Sequence, residues 1–406
     1  MFGEAEEAAQ ADDGKLWGLS LVGPMLFADP RTRAVVANQP DEEGKLREEH
    51  EVFVGKLPSE VTIANTGTDW AGVRWTMVMW PLPEERFART QLLLHESFHR
   101  IQPKLAHGLA GAMNEHLDTE AARTWLRLEY RALAAALGER DEARKVALGD
   151  ALLFRARRRT LFPEAAASES ALERNEGLAE YTGLRLCGLD EAGRTQRAAQ
   201  RLRGDEASAN FVRSFAYATG PAYGLLLDAS DAGWRKKIAP GVDLAALAAL
   251  ALGWTAPADV ARAADERAQV YHASEVVAAE RKRAEERARL DAENRARFVD
   301  GPVLVLPFGA GMDYSFDPND VVPLAGAGTL YGHARVVDAW GVLDAGASRA
   351  LFVLAPDGGM RAAQVPAPRD ASARPIAGEG WTLELARGWT LAAGERAGDW
   401  KVVRSP

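Results

Sequence analysis

The sequence turns on one short run, His95-Glu96-Ser97-Phe98-His99, set within Thr90-Gln-Leu-Leu-Leu-His-Glu-Ser-Phe-His-Arg-Ile-Gln-Pro103. Leu94, Phe98, Ile101 and Leu105 recur at three- or four-residue spacing, Glu84 to Arg86 open the segment, and Pro103 limits it. That spacing predicts a helix. Residues four apart on a helix share one face. His95 and His99 can therefore bind a single metal ion, with Glu96 beside them to hold and deprotonate a water. Unrelated helices carry the same five-residue pattern by accident. The metal reading thus needs a third ligand and a suitable strand elsewhere in the chain.

At 406 residues the chain is long enough for two or three domains with large cores. Its 47% hydrophobic and 26% charged residues are those of an ordinary soluble globular protein. A net charge of -9 argues against nucleic acid and anionic membrane as partners. The single cysteine, Cys187, excludes an intramolecular disulfide and a cysteine cluster, so any metal must be held by His and carboxylate. No apolar run reaches membrane-spanning length. The stretch from Met1 to Ala11 lacks the basic head and apolar region of a signal peptide. Two expectations follow: a cytoplasmic chain, or a mature exported one whose leader has been removed.

Before the motif, β-formers cluster at Leu16–Val22, Met25–Phe27, Ala34–Ala37, Val52–Val54, Val61–Ile63 and most strongly Val73–Trp80, which ends at Pro81. From 113 to 254 the pattern is mostly helical, in runs such as Glu120–Leu137, Ala143–Arg159, Ala165–Leu186, Glu191–Leu202 and Ala207–Asp228. One of these predicted helices carries Asn175-Glu-Gly-Leu-Ala-Glu-Tyr181.

An HExxH helix followed downstream by an Asn-Glu-Gly helix resembles the gluzincin metallopeptidases. The resemblance spans roughly residues 60–230 and rests on two short motifs with the strand before them. It implies a zincin-like catalytic domain that holds Zn2+ through His95, His99 and Glu176, with one coordination position left open. It also implies that Glu180 orients a ligand histidine, at a position where many relatives carry Asp. Thr76 to Trp80 would be the edge strand that pairs with extended substrate, and the partner would be a peptide or protein. A downstream Tyr or His would stabilise the oxyanion, for which Tyr217 and Tyr223 are the candidates, with Arg213 behind them. Taken singly, either tyrosine also reads as helix packing. His116 either faces the cleft or caps a helix. His50, His107, His272 and His333 have no partner pattern and receive no role. The Gly-Ala-Met-Glu-Asn signature of aminopeptidase branches is absent, which leaves exopeptidase activity unsupported.

Residues 256–299 carry opposite charges at helical spacing around Glu280–Glu293, as a solvated linking helix would. From 300 to 406 short strands alternate with Gly and Pro turns, predicting a small all-β domain, sandwich or barrel. Gly380-Trp-Thr-Leu383 and Gly388-Trp-Thr-Leu391 repeat, which suggests two adjacent strands of one hairpin. Asp313, Asp317, Asn319 and Asp320 match no calcium loop and read as turn residues.

The expected fold is α+β. An N-terminal sheet with the motif helix (1–112) and a helical part carrying the third ligand (113–255) make the catalytic domain, followed by the linking helix and the β-domain. The expected activity is zinc-dependent hydrolysis of peptide bonds with Glu96 as general base. The alternative is a non-catalytic zincin-like binding or scaffold protein, against which complete ligands and an intact Glu96 both count.

Overall fold

Six short strands form the first sheet of the computed structural model, which describes residues 1–105, 114–317, 320–355 and 358–405. His107 and Asn319 lie outside the described residues. After helix α1 (Phe2–Asp12) come β1 (Met25–Ala28), β2 (Ala34–Ala37), β3 (Arg47–Glu49), β4 (Val52–Lys56), β5 (Thr66–Trp70) and β6 (Val73–Met79). Their order is β3-β4-β2-β1-β6-β5, with β1 parallel to β6 and the other neighbours antiparallel. Side chains alternate between the faces of a sheet. Met25, Phe27 and Val78 accordingly join a buried cluster with Leu93, while Leu26, Ala28, Trp75 and Met77 belong to another.

Two expectations about this sheet are corrected. Leu16–Val22 and Val61–Ile63 form no strand, and β5 lies where none is predicted, because Thr-Gly-Thr-Asp-Trp carries little β signal. The stretch Thr76–Trp80 is not the edge. Met77 pairs with Leu26 on one side and Thr66 on the other, so β6 is internal and β5 is the edge. The more apolar strand takes the position buried on both faces.

The motif helix is α2 (Arg86–Ile101). Glu85 caps it, its carboxylate accepting from the Phe87 and Ala88 backbone N–H groups at 2.8 and 2.7 Å. The helices that follow are α3 (Glu120–Gly138), α4 (Asp141–Leu161), α5 (Ala165–Leu172), α6 (Leu178–Leu186), α7 (Glu191–Asp205), α8 (Phe215–Ser230) and α9 (Leu244–Leu252). The predicted helix Ala165–Leu186 is in fact α5 and α6 joined through one π turn, Glu173–Gly177. This helical part shares one large core, in which Leu94, Phe98 and Ile101 of α2 meet Leu178 and Tyr181 of α6.

The stretch 256–299 differs from a single solvated helix. It contains α10 (Val260–Ala268) and α11 (Ala273–Arg295). Val276 and Glu280, four apart and so on one face, are both buried, and Glu280 accepts from Arg123 Nε at 2.6 Å and Arg127 Nη1 at 2.9 Å. The chain divides into two compact units after Arg281, inside α11.

The second unit holds strands β7 (Val303–Pro307), β8 (Asp313–Ser315), β9 (Val321–Leu324), β10 (Gly328–Asp338), β11 (Gly341–Leu354), β12 (Met360–Pro366), β13 (Ile376–Ala377), β14 (Thr382–Leu385), β15 (Trp389–Ala393) and β16 (Trp400–Arg404). They belong to one hydrogen-bonded sheet, and Trp340, Phe352, Trp381 and Leu383 are part of its core. The repeated Gly-Trp-Thr-Leu segments do not form a hairpin. β14 pairs with β11 and β13, whereas β15 pairs with β16. Ala386 N–H donates to the Trp340 carbonyl, so the chain leaving β14 continues along β11 instead of turning back on itself. Among the described residues no helix is long and apolar enough to cross a membrane.

Candidate metal centre

Helix α2 and the π turn between α5 and α6 supply the three candidate ligands. On α2 the four-residue spacing sets His95 and His99 one turn apart, and their Nε2 atoms lie 3.1 Å from each other. The π turn brings Glu176 to them, with Oε2 3.7 Å from His95 Nε2 and 3.4 Å from His99 Nε2. One ligand atom from each of the three lies within 4.8 Å of the others. Glycine lets α8 pack closely on the end of this turn, since a Cβ added to Gly220 of α8 would come 2.3 Å from the Cα of Gly177.

The outer partners fix which ring nitrogens carry protons. His95 Nδ1 lies 2.8 Å from Glu180 Oε2, and a carboxylate there must accept. Gln102 donates its amide N–H to the Arg174 and Asn175 carbonyls, at 3.1 and 3.3 Å. That leaves its oxygen as the acceptor 2.9 Å from His99 Nδ1. Both Nδ1 atoms therefore donate, and in neutral rings both Nε2 atoms present lone pairs to each other and to Glu176. Either a ring proton or a metal ion between them satisfies such a set. Burial opposes a charge on the His95 ring, but hydrogen bonds with Glu176 and Glu180 outweigh it and push the ring up to about 10.

Glu96 is 3% exposed, with Oε1 3.9 Å from His95 Nε2. Its Oε2 is buried without a hydrogen-bond partner, and burial raises its carboxyl. An unpaired buried oxygen beside a His-His-Glu cluster leaves room for a metal-bound water as its partner. Two nitrogens and a carboxylate, each ring anchored from outside, fit Zn2+ in donor type and number.

Tyr217 and Tyr223 have separate fates. The Tyr217 hydroxyl donates to Glu176 Oε2 at 2.6 Å and its ring stacks on His95, 5.7 Å between centroids. Arg213 Nη2 reaches Glu176 Oε1 at 3.3 Å. Tyr223 is fully buried and donates to Glu129 Oε1 at 2.9 Å, within a separate ionic network, so it is removed from the site. Helical spacing explains the split, because residues six apart lie on different faces. His116 likewise joins that network, its Nε2 2.9 Å from Glu169 Oε1.

No protein-family model, curated protein or solved structure matches this chain. What the centre can do follows from its own geometry.

The sequence reading passed over Gln102 and Gln91. Gln102 stands three residues after His99, and Gln91, four before His95, donates to Glu180 Oε1 at 2.7 Å. Their helical spacing from the histidines was the available signal. A cavity of about 550 Å³ adjoins the cluster, lined in part by Leu92, Glu180, Arg201, Tyr217 and Pro221. A larger one, about 730 Å³, lies between α1 and the end of α6 and is lined by none of the cluster residues.

Proposed function

We propose that this chain is a zinc-dependent peptidase of gluzincin type, with a zincin-like catalytic domain built from the first sheet, α2 and α6. The observation that carries the reading is the convergence of His95 Nε2, His99 Nε2 and Glu176 Oε2 beside Glu96, whose Oε2 is buried without a partner. Zn2+ held by these three side chains would supply Lewis acidity at an open coordination position.

The chain's own residues do the rest. Glu96 accepts a proton from the attacking water and passes it to the leaving amine. Glu180 and Gln102 hold the two imidazoles in the tautomers that direct Nε2 inward. The Tyr217 hydroxyl, a proton donor beside the cluster, stabilises the oxyanion of the tetrahedral intermediate. Strand β5 offers a place for the substrate backbone, since among the described residues it pairs only with β6. It also runs close to the motif helix: a Cβ on Gly67 would lie 3.1 Å from Arg100 N. An extended peptide adding to that edge would pass the turn that carries His99.

Metal content by mass spectrometry, on the wild type and Glu176→Ala, is the first test. About one zinc per chain, lost in the variant, is expected for a centre with three protein ligands. A chain that takes up no zinc even when it is added back ends the peptidase reading. A zinc-loaded protein that cleaves nothing in a peptide library leaves the scaffold alternative in its place.

A further inference from the structure

Three residues before Glu176 stands a carboxylate that the proposed reaction does not use. Glu173 opens the π turn and is fully buried. Arg155 of α4 grips it with a fork, Nη1 to Oε2 at 2.8 Å and Nη2 to Oε1 at 2.6 Å, and the Thr219 hydroxyl of α8 donates to Oε1 at 2.5 Å. Arg155 is itself fixed from the other side, its Nε donating to Glu129 at 2.7 Å. Arg158 then bridges Glu129 and Glu169, at 2.6 and 2.7 Å.

We propose that Arg155 and Glu173 are positioning residues for Glu176, holding the π turn in the register that aims its carboxylate at His95 and His99. The inference rests on the metal-centre reading above. A π turn inserts one extra residue into a helix and persists only where its surroundings hold it. A slip of one residue turns a side chain by about 100° around the helix axis, enough to carry Glu176 out of the cluster. Gln102 secures the middle of the turn through the Arg174 and Asn175 carbonyls, and Gly177 closes its end against Gly220. The start of the turn is secured by Arg155 and Thr219 through Glu173. Burying paired charges there gains little stability over an apolar core of the same shape, whereas a bidentate fork fixes geometry.

The test measures zinc dissociation constants, by competition with a chelator, beside thermal midpoints for the full chain. The variants are Glu173→Gln, Arg155→Lys and Thr219→Val, with Glu169→Gln as a control in the same network but on α5. Glu173→Gln should weaken zinc about 10–100-fold, the range for partners that orient metal ligands. Arg155→Lys, which keeps the charge and loses the fork, should recover only part of the affinity. Glu169→Gln should lower the midpoint and leave zinc affinity unchanged. Thr219→Val removes one hydrogen bond from Glu173 and should still weaken zinc measurably if the two charge variants fail to fold. Folded variants at Glu173, Arg155 and Thr219 with wild-type zinc affinity overturn the proposal, as does equal weakening in Glu169→Gln. A wild type without zinc removes the metal centre first, and the positioning role with it.

Discussion

In the network of Glu129, Arg155, Arg158, Glu169 and Glu173 every carboxylate oxygen has a donor, whereas beside the His95, His99 and Glu176 cluster Glu96 Oε2 is buried with no partner. Both assemblies are buried in the same helical unit, and both contain paired acidic and basic side chains. Burial of a polar group is tolerable when its hydrogen bonds are complete and costly when they are not. The complete set accordingly reads as framework. The incomplete one reads as a site whose remaining partners arrive from outside. Sequence alone would not rank them, since each consists of charged residues on predicted helices.

The sharpest way to break that contrast is at Glu96. In zinc-loaded Glu96→Gln, turnover of any peptide substrate should fall by about a thousandfold, the scale of general-base catalysis, while zinc content stays at the wild-type level. Retained turnover would remove Glu96 from the role. In the network the corresponding cut is Arg158→Met, which leaves Glu129 and Glu169 short of their cation. Denaturant unfolding should register a loss of about 3–5 kcal/mol, because one partner of a buried pair has been stranded. Zinc affinity should change far less. If Arg158→Met instead unfolds at wild-type denaturant concentrations, the network is not framework.

The two tyrosines sharpen the comparison, because they sit on one helix and point into different assemblies. Tyr217→Phe should lower kcat by about a hundredfold, as for loss of an oxyanion donor. Tyr223→Phe should leave kcat alone and cost about 2 kcal/mol, as for a hydrogen bond to a buried carboxylate. Reversed effects, measured as steady-state kinetics beside unfolding curves, would show that the assignment of the two hydroxyls is the wrong way round.

Helical periodicity made much of this legible beforehand. His95 and His99 meet because four residues make one turn; that Glu180 meets His95 from α6 was an implication of the gluzincin resemblance and not of periodicity. The sequence also located the helix that carries Glu176. It did not show the π turn, since a one-residue insertion leaves the apolar pattern on either side intact. Nor could it choose between Tyr217 and Tyr223, a choice that depends on which face of α8 meets α6. Strand β5 was missed for a different reason: its identity comes from pairing with β6, and its own residues are polar and half-buried. Glu280 went unrecognised as a buried residue because it opens the charged run Glu280-Arg-Lys-Arg283, and only the arginines of α3 reveal where it lies.

Acid pH separates the two assemblies most gently. Despite burial, which works the other way, the guanidinium of Arg158 and the hydrogen bond with His116 hold the Glu169 carboxyl well below its ordinary 4.5. Asp243, where Arg159 Nη1 reaches Oδ2 at 2.6 Å, is lowered for the same kind of reason. A carboxylate depressed in the folded state binds fewer protons there than in the unfolded chain. Its contribution to stability is then fully present above the unfolded value and is lost as pH falls toward the folded one. Unfolding free energy should therefore decline as pH drops from about 5, with no midpoint until well below the ordinary carboxylate range. Glu169→Gln removes one of the groups responsible, so its curve should start lower and fall less steeply. Parallel curves for the two proteins would mean that Glu169 takes up its proton equally in both states, and the fully bonded network would then lose its claim to hold the helices together through charge.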